Sequence, residues 1–275
     1  MIHLGLIGYP LGHSLSPNIH NAALKACGLQ GDYSLFPIHS DDLQGLKDLL
    51  ARVRSGEITG LNVTVPHKQN AIELIDELTP AAQAIGAVNT IYFRNNELVG
   101  DNTDAPGFLT DLKRFIEKWE MGIGNRKSAL VLGAGGSSRA VVYALFNNGW
   151  KVTLAARRIE GARELARRFA GVKAVELNPK AILPSNLQLI VNTTPVGMVP
   201  NTGQSPWPEN LAFPHAAIYD LVYNPRETKL VKDARAQNLN ATTGLGMLIE
   251  QAALAFEIWT GHNPPRNILY DSVVE

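Results

Sequence analysis

The sequence has almost no cysteine, no excess of charge of either sign and no long hydrophobic run. Cys27 is the single cysteine among 275 residues, so no disulfide can form within the chain, which is typical of a reducing compartment. The 25 Lys and Arg residues balance the 25 Asp and Glu residues, whereas nucleic-acid-binding proteins usually carry a basic excess. No window approaches the ~20 consecutive apolar residues of a membrane-spanning helix, and the first residues lack the cationic segment of a signal peptide. We therefore expect a soluble cytoplasmic protein that binds neither nucleic acid nor a membrane.

The length and the hydrophobic pattern predict a two-domain α/β protein. At about 150 residues per domain, 275 residues correspond to two domains, and a hydrophobic content of 45% supplies enough apolar surface for their cores. Strand-like apolar runs alternate with amphipathic segments of helical length, which is typical of α/β folds with mostly parallel sheets. The predicted strands cover residues 2–7, 33–37, 60–65, 87–93, 128–132, 151–155, 187–192 and 217–221. The predicted helices include residues 17–27, 70–78, 106–119 and 247–260.

A segment without apolar periodicity, residues 120–127, separates the helix predicted over 106–119 from a new strand and a glycine loop. We therefore interpret that helix as the connector into a second domain. The last predicted helix is rich in Leu, Ala, Phe and Trp, which favours packing against the first domain. The predicted domains are residues 1–105 plus 245–275, with an open and mostly parallel sheet, and residues 106–244.

A glycine-rich loop follows the strand predicted over 128–132. Its residues are Gly133, Ala134, Gly135, Gly136 and Ser137, and an apolar helical pattern comes directly after it. A strand, a glycine turn and a helix in this order are the context of the dinucleotide-binding fingerprint. Gly133 permits the tight turn, and Gly135 lets the backbone approach a pyrophosphate at the positive end of the helix. Ser138 stands at the third glycine position, and the alternative interpretation is a glycine-rich turn without a ligand.

The end of the next predicted strand favours NADP over NAD. An NAD site carries Asp or Glu there, about 20 residues after the loop, whereas this strand ends in Ala156-Arg157-Arg158 and no carboxylate precedes Glu160. Arginine binds a 2′-phosphate through bidentate charge-assisted hydrogen bonds. The alternative is that the two arginines only form a solvated start of the following helix.

Two serines precede the first predicted helix. Ser16-Pro17 is typical of an N-cap followed by a helix-initiating proline, which by itself could explain Ser16. Ser14 has no such structural explanation. Two hydroxyls at a helix N-terminus form a compact site for a carboxylate, which the helix dipole assists. We predict that Ser14 and Ser16 form a site of this kind.

The strand predicted over 60–65 carries polar residues toward a ligand site. Alternation along the strand places Asn62 and Thr64 on one face. Lys68 follows at the carboxyl end of the strand, where open α/β sheets bind ligands. A lone lysine is usually a solvated surface charge, but beside an aligned Asn and Thr it becomes a candidate proton donor.

Further polar residues occur in two asparagine-rich turns, which hold Asn89 and Asp104, and in the last predicted helix, which holds Gln251. Asp104 could instead cap the helix that begins near Pro106. A buried Gln251 amide needs hydrogen-bond partners, and either a hydroxylated ligand or a nearby backbone group could supply them. The histidines show no metal-ligand spacing and Cys27 has no cysteine partner, so we expect no metal site.

These motifs together resemble the shikimate dehydrogenase family, and they occur in the family's order over nearly the whole chain. The matching segments are Ser14-Leu15-Ser16-Pro17, Asn62-Val63-Thr64-Val65-Pro66-His67-Lys68, Gly86-Ala87-Val88-Asn89-Thr90, Gly100-Asp101-Asn102-Thr103-Asp104, Gly133-Ala134-Gly135-Gly136, Asn192-Thr193-Thr194-Pro195-Val196-Gly197-Met198 and Gly244-Leu245-Gly246-Met247-Leu248. The resemblance implies a substrate-binding domain completed by the last helices, a Rossmann-like NADP-binding domain and a cleft between the two. The implied reaction is the reversible NADPH-dependent reduction of 3-dehydroshikimate to shikimate in chorismate and aromatic amino-acid biosynthesis.

The resemblance also implies roles for individual residues. Lys68 matches the proton-transfer residue with Asp104 beside it, and Ser14 and Ser16 match contacts of the substrate carboxylate. The residues that match contacts of substrate hydroxyls are Asn62, Thr64, Asn89, Asp104 and Gln251, and Tyr223 matches a further substrate contact. The residues that match the cofactor site are Gly133, Ala134, Gly135, Gly136, Ser137, Ala156, Arg157, Arg158, Leu221, Gly244 and Met247.

The sequence departs from the family at the end of the strand predicted over 151–155. Family members often have Asn-Arg-Thr where this chain has Ala156-Arg157-Arg158, so the amide is missing while the arginine position is kept. A quinate/shikimate dehydrogenase with relaxed use of NAD and NADP is therefore the alternative. A non-catalytic NADP-binding sensor is a second alternative, which the presence of Lys68 and Asp104 disfavours. We expect a small-molecule substrate as the partner, and a monomer or homodimer.

Overall fold

The computed structural model describes residues 1–118, 127–178, 184 and 186–274, and strands and helices occur along the whole chain. In chain order the strands are β1 Ile2–Gly8, β2 Gly31–Pro37, β3 Gly60–Val63, β4 Glu77–Leu78, β5 Thr90–Arg94, β6 Glu97–Asp101, β7 Ser128–Leu132, β8 Lys151–Ala156, β9 Lys173–Glu176, β10 Leu189–Asn192, β11 Ala217–Asp220 and β12 Ala241–Thr243. The helices are α1 Ser16–Ala26, α2 Leu43–Arg54, α3 His67–Asn70, α4 Pro80–Ile85, α5 Asp104–Lys118, α6 Gly136–Asn147, α7 Ile159–Ala166, α8 Lys229–Ala236, α9 Leu245–Thr260 and α10 Arg266–Val274. The predicted α/β class is confirmed.

The chain forms two units that it crosses inside helices. The first unit consists of Met1–Gly107 with Ile249–Glu275, and the second of Phe108–Leu248. The crossings therefore fall within α5 and α9, a few residues from the boundaries at 105/106 and 244/245 that the sequence suggests. A continuous helix carries its hydrophobic pattern across such a boundary, so composition does not mark it. Most of the expected linker over 120–127 lies outside the described residues.

The first unit contains a six-stranded sheet in the order β2-β1-β3-β5-β6-β4. Strand β1 is parallel to β2 and β3, β5 is antiparallel to β3 and β6, and β4 is parallel to β6. Helix α2 buries Leu46, Leu49, Leu50 and Val53 in a core with sheet residues such as Leu61. Asp42 caps α2 by accepting a hydrogen bond from the Gly45 N–H at 2.8 Å, which fixes where this helix begins.

The second unit contains a sheet in the order β12-β11-β10-β7-β8-β9, with every pair parallel. The strand order reverses between β7 and β10, which is the topological switch point of a doubly wound α/β fold. Strands β7, β10 and β11 are buried along their whole length, as expected where helices cover both faces of a parallel sheet. The carboxyl edge beside this switch point is the expected place for a ligand.

The helix predicted over 70–78 is wrong. The chain forms only α3, a 3-10 turn over Ala71–Leu74 and then the short strand β4. Asp76 turns the chain from helix to strand at this point. Its N–H donates to the Leu98 carbonyl at 3.0 Å, and its carboxylate accepts from the Leu98 N–H at 2.7 Å. These two bonds bring residues 77–78 into the sheet beside β6, so tertiary pairing overrides the helical spacing of the isoleucines.

Four predicted strands are shorter in the structure than in the sequence prediction. The strand predicted over 87–93 begins at Thr90, and those predicted over 60–65, 187–192 and 217–221 cover Gly60–Val63, Leu189–Asn192 and Ala217–Asp220. In the first case residues 87–89 lie outside the strand, and the Val88 N–H donates to the Lys68 carbonyl at 2.7 Å. The Asn89 carbonyl accepts from the Val63 N–H at 2.8 Å, so the backbone at Asn89 lies against the end of β3.

No described helix combines the length and the apolar composition that a membrane span requires.

We expect Gly60→Ala to lower the free energy of unfolding by about 2 kcal/mol or more, because overpacking a filled core forces its neighbours to move. A Cβ at Gly60 would lie 2.3 Å from the Trp259 indole of α9. That indole N–H donates to the Ile91 carbonyl at 3.1 Å, so displacing the ring also breaks a buried hydrogen bond. Equilibrium unfolding in urea measures the effect.

Gly203→Ala is the matched control, because a Cβ there would meet nothing within 4 Å. Its free energy of unfolding should stay within about 0.5 kcal/mol of the parent. A Gly60→Ala variant as stable as the control would mean that Trp259 does not pack tightly on β3.

Candidate active site

Four chain segments meet at one edge of the sheet in the first unit. Strands β1 and β3 are parallel, so the residues that follow Gly8 and Val63 leave the sheet at the same edge. Strand β5 begins there because Thr90 pairs with Asn62, and β6 ends there because Asp101 pairs with Thr90. The predicted substrate and catalytic residues on these segments are Ser14, Ser16, Thr64, Lys68, Asn89 and Asp104.

Lys68 and Asp104 form an ion pair at this edge. The Lys68 Nζ lies 2.5 Å from Asp104 Oδ2, and only 12% and 6% of the two side chains are exposed. Lys68 lies on the short helix α3, and Asp104 is the first residue of α5. The structure therefore brings together the two residues for which the sequence predicts proton transfer.

Asn89 connects the ion pair to the rest of this edge. Its Nδ2 lies 2.9 Å from Asp104 Oδ1, 3.0 Å from Thr103 Oγ1 and 3.3 Å from Gln251 Oε1. Its Oδ1 accepts a hydrogen bond from the Thr103 N–H at 2.7 Å. Asn89 is 2% exposed, so this carboxamide fixes the position of the Asp104 carboxylate from within the protein.

The alternative that Asp104 caps α5 is wrong, because Asn102 takes that position. Asn102 Oδ1 accepts a hydrogen bond from the Ala105 N–H at 3.2 Å, and its Nδ2 donates to the Ala87 carbonyl at 2.9 Å. Both oxygens of Asp104 instead face Lys68 and Asn89. The sequence did not single out Asn102 or Thr103, although both lie inside the motif that carried Asp104.

Asn62 is held by two buried contacts. Its Oδ1 accepts from the Tyr33 hydroxyl at 2.8 Å, and its Nδ2 donates to the Asn89 carbonyl at 3.1 Å. Tyr33, on β2, is 5% exposed and was not predicted as a site residue. Its place in an alternating strand resembles that of any core aromatic, so no sequence signal marked it.

Ser14 and Ser16 lie together, but the predicted capping role of Ser16 is wrong. Ser16 is the first residue of α1, the capping position belongs to Leu15, and no side chain caps this helix. The Ser16 N–H donates to Ser14 Oγ at 3.3 Å. Ser16 is buried whereas Ser14 is half-buried, and both serines lie at the start of α1.

Thr64 and Gln251 reach the same edge through close backbone approaches. A Cβ at Gly8 would lie 2.3 Å from the Thr64 methyl group, so the end of β1 packs directly against Thr64. A Cβ at Gly107 would lie 2.8 Å from the Gln251 backbone N. Glycine at position 107 therefore allows α5 to lie against α9 and brings Gln251 within reach of Asn89.

In the second unit, the predicted dinucleotide loop joins β7 to α6 as expected. Gly133 has φ of +110°, a conformation that glycine adopts without strain. Ser138, at the third glycine position, has its Oγ 2.5 Å from Thr193 Oγ1 and accepts from the Gly135 N–H at 3.2 Å. Thr193 follows β10, so these hydroxyls connect the glycine loop to the neighbouring strand at the switch point.

The other predicted cofactor residues lie at the same carboxyl edge of this parallel sheet. Ala156 ends β8, and Arg157 and Arg158 are exposed immediately before α7. Leu221 follows β11 and Gly244 follows β12, and a Cβ at Gly244 would lie 2.4 Å from the Leu221 carbonyl oxygen. Met247 is buried in the first turn of α9, and the half-buried Tyr223 also follows β11.

Asp220 orders the turn after β11. Its carboxylate accepts hydrogen bonds from Thr228 Oγ1 at 2.6 Å, Asn192 Nδ2 at 2.7 Å and the Val222 N–H at 3.0 Å. Burial raises the pKa of Asp220 to about 6, against the three donors, which lower it. Burial also raises the pKa of the Tyr223 hydroxyl. Asp220 thus fixes the backbone that presents Leu221 and Tyr223.

Among the described residues, no group of three or more His, Cys, Asp or Glu side chains has the arrangement of a metal site.

Comparison with known proteins identifies the relatives of this chain. Residues 6–91 match the family model for the shikimate dehydrogenase substrate binding domain, and residues 244–273 match that for the shikimate 5′-dehydrogenase C-terminal domain. The shikimate dehydrogenase (NADP(+)) of Carboxydothermus hydrogenoformans is 39% identical over 274 residues, which cover 98% of this chain and 95% of the relative. That of Dehalococcoides mccartyi is 42% identical over 273 residues, which cover 96% and 92%. The crystal structure of shikimate 5-dehydrogenase from Thermus thermophilus in complex with NADP(H) and shikimate has a TM-score of 0.85 and 40% identity, over 99% of this chain and 98% of that one.

His20 should make the protein less stable in acid. Its ring is fully buried and stacks on Tyr33, with the centroids 4.3 Å apart. Burial lowers the pKa of His20 to about 3, and neither ring nitrogen has a hydrogen-bond partner among the described residues. Because the unfolded histidine has a pKa near 6.5, the folded state binds fewer protons. The stability that neutral His20 contributes is complete above pH ~6.5 and is lost as the pH falls toward 3.

Between pH ~6.5 and ~4.5 we expect the free energy of unfolding of the parent to fall by about 2 kcal/mol more than that of His20→Phe. The difference grows by about 1.4 kcal/mol per pH unit over most of that range, because only the parent must keep His20 neutral. Urea unfolding at the two pH values measures the difference. The exposed His215 supplies the control, since His215→Phe should lose as much stability as the parent. Equal losses in all three proteins would show that His20 is not held neutral.

Proposed function

This chain belongs to the shikimate dehydrogenase family, and we propose that it reduces 3-dehydroshikimate reversibly to shikimate with NADPH, with Lys68 as proton donor and acceptor and Asp104 beside it. This reaction is a step in the biosynthesis of chorismate and the aromatic amino acids. The observation that carries the proposal is the 2.5 Å contact between Lys68 Nζ and Asp104 Oδ2. It supports the assignment of Lys68 as proton donor at the sheet edge where the other predicted substrate residues lie.

The chemistry of the ion pair fits carbonyl reduction. NADPH supplies the hydride when it is bound. Negative charge then develops on the carbonyl oxygen, and an ammonium group within hydrogen-bond reach stabilises that charge and donates the proton. In the reverse direction a neutral Lys68 accepts the proton of the hydroxyl. Asp104 holds the lysine amine in place, and Asn89 fixes the second carboxylate oxygen at 2.9 Å.

The first unit serves as the substrate-binding domain in this proposal. Ser14 and Ser16 bind the substrate carboxylate at the start of α1, an 11-residue helix whose positive end favours an anion. The residues that contact substrate hydroxyls are Asn62, Thr64, Asn89, Asp104 and Gln251, and the resemblance to the family adds Tyr223 as a further substrate contact. The hydrogen bonds among Asn62, Asn89, Asp104 and Gln251 support this assignment.

The second unit is the NADP-binding domain, and its glycine loop fits the cofactor. A Cβ at Gly135 would meet nothing within 4 Å, so no group of the described residues fills the space directly beside Gly135 at the start of α6. The N–H groups at the start of this 12-residue helix would hold the pyrophosphate together with Gly133, Ala134, Gly136 and Ser137. Arg157 and Arg158 follow Ala156 and would hold the 2′-phosphate, and Leu221, Gly244 and Met247 would line the nicotinamide end.

The composition of the sequence supports a proposal for the compartment and the binding partners of the enzyme. A single cysteine and the absence of a charge excess support a cytoplasmic enzyme whose partners are its small-molecule substrate and cofactor, not nucleic acid or a membrane. We propose a monomer or a homodimer.

Lys68→Ala should lower kcat for shikimate oxidation by about 100-fold or more, which is the usual contribution of a general acid or base. Initial rates of shikimate-dependent NADP reduction measure it. The change leaves the glycine loop intact, so the affinity for NADP should stay within about twofold of the parent.

Lys47→Ala is the control, because Lys47 is an exposed lysine on α2. Its rates should equal those of the parent. A Lys68→Ala enzyme that retained a rate within a few-fold of the parent would remove Lys68 from the mechanism. A parent protein that bound NADP without oxidising shikimate or quinate would point to the NADP-binding sensor.

The double variant Arg157→Ala and Arg158→Ala should raise the KM for NADP about tenfold or more and leave the KM for NAD nearly unchanged. Each arginine offers charge-assisted hydrogen bonds worth about 1.5–3 kcal/mol, and NAD lacks the phosphate that would accept them. Rates measured with NADP and NAD as separate cofactors give the comparison.

The double variant Arg163→Ala and Arg167→Ala is the control, since both arginines are exposed, on α7 and at its C-terminal end, and their removal takes away the same two charges. An equal rise of the KM for NADP in the control and in the variant of Arg157 and Arg158 would show that net charge alone causes the effect.

Because Ala156 replaces the family's amide, the same assay with quinate and NAD tests the broader-specificity alternative. Turnover with either at rates comparable to shikimate and NADP would favour it.

A further inference from the structure

Tyr33 lies behind the predicted substrate contact Asn62 and shares a buried hydrogen bond with it. The Tyr33 hydroxyl donates to Asn62 Oδ1 at 2.8 Å, and Tyr33 and Asn62 are each 5% exposed. Their strands are not neighbours, because β1 lies between β2 and β3. The tyrosine therefore reaches across β1 to meet this carboxamide.

Two contacts fix which way the Asn62 carboxamide points. The Asn89 backbone carbonyl, which can only accept, lies 3.1 Å from Asn62 Nδ2. Turning the carboxamide over would place Asn62 Oδ1 against that carbonyl oxygen and Nδ2 toward the tyrosine. The amide orientation with Oδ1 toward Tyr33 satisfies both neighbours, whereas the reverse orientation leaves two acceptors facing each other.

Tyr33 is itself held from both its ring and its backbone. Its ring stacks on the His20 imidazole of α1, with the two planes inclined by 1° and the centroids 4.3 Å apart. Its N–H donates to Asn21 Oδ1 at 3.1 Å. Two consecutive residues of α1 thus clamp Tyr33, so its hydroxyl has little freedom to follow Asn62 if that side chain moves.

An amide group has two N–H donors, and the Asn89 carbonyl uses one of them. The second N–H of Asn62 belongs to the same fixed carboxamide, at the sheet edge where Lys68, Asn89 and Asp104 lie. A substrate hydroxyl that approaches this N–H would accept a hydrogen bond from it through an oxygen lone pair.

We propose that Tyr33 is a positioning residue for substrate binding, which fixes the Asn62 carboxamide so that Asn62 presents a hydrogen-bond donor to the substrate. The inference rests on the proposed function through the assignment of Asn62 as a substrate contact. Tyr33 itself does not touch the substrate in this account. Tyr33 affects the binding of substrate only through Asn62, so an experiment can distinguish this role from a general role in packing.

Tyr33→Phe removes the hydroxyl and keeps the ring that stacks on His20. We expect the KM for shikimate to rise about tenfold, the change that corresponds to ~1.4 kcal/mol and to one lost buried hydrogen bond. The value of kcat should change less than about threefold, because the ion pair of Lys68 and Asp104 is untouched. The KM for NADP should not change.

Tyr92→Phe is the control, because it removes a tyrosine hydroxyl from β5 of the same sheet. It should leave kcat and the KM values for shikimate and NADP at those of the parent.

A double-mutant cycle decides whether Tyr33 acts through Asn62. In the background of Asn62→Ala, adding Tyr33→Phe should change the KM for shikimate less than about twofold, since the group that Tyr33 positions is gone. An equal rise of the KM in both backgrounds would overturn the proposal and assign Tyr33 a packing role. A Tyr33→Phe enzyme with an unchanged KM would overturn it as well.

Asn62→Asp tests the donor directly. The aspartate keeps the shape and still accepts from Tyr33, but it replaces the N–H groups by a second oxygen. We expect the KM for shikimate to rise at least as much as in Asn62→Ala, and a smaller rise would overturn the donor assignment. The dissociation constant of shikimate in the presence of NADP, measured by calorimetry, replaces KM for any variant that turns over too slowly. Failure of the parent enzyme to oxidise shikimate would instead reject the proposed function, so the two failures are distinguishable.

Discussion

The candidate site of the first unit depends on one interaction, the ion pair of Lys68 and Asp104, whose side chains are largely shielded from water. Removing both charges from water costs several kcal/mol, and the attraction between them offsets that cost only if the remaining polar atoms are also hydrogen-bonded. Asn89 meets this requirement for Asp104, and Thr103 in turn anchors Asn89. Asn102 caps α5, so neither oxygen of Asp104 is needed to begin the helix. The surrounding amide and hydroxyl groups are therefore arranged as the environment that a buried ion pair needs.

Most of the candidate site could be predicted from the sequence because its residues follow strands. A polar residue directly after an apolar strand is placed by the sheet, and parallel strands bring such residues to one edge. Lys68, Asp104 and the loop at Gly133 belong to this class, and the structure places each of them at the carboxyl edge of its own sheet. The alternation predicted along β3 put Asn62 and Thr64 on one face, and only the structure shows that Asn62 lies against the Asn89 carbonyl. The α/β class followed from the same regular alternation of strands and helices.

The errors arose where distant contacts decide local structure. The spacing of apolar residues over 70–78 fits a helix, but two hydrogen bonds between Asp76 and Leu98 pull the chain into the sheet. Ser16 followed by proline fits an N-cap, yet the helix starts one residue earlier than that role requires. Tyr33 gave no signal because its partner Asn62 is 29 residues away in the sequence and on a strand that is not adjacent. Pairings of this kind depend on the packed structure and not on any local pattern.

The contact between Gly60 and Trp259 has a consequence for synthesis on the ribosome. The first unit takes residues from both ends of the chain, whereas the second unit is one contiguous stretch. Residues emerge from the N-terminus at about 5–20 per second, so β3 is made long before the indole that covers it. The second unit has all of its strands available before α9 and α10 emerge. The unit that begins the chain is therefore the later one to complete its core, and until then the face of its sheet beneath Trp259 stays open to water.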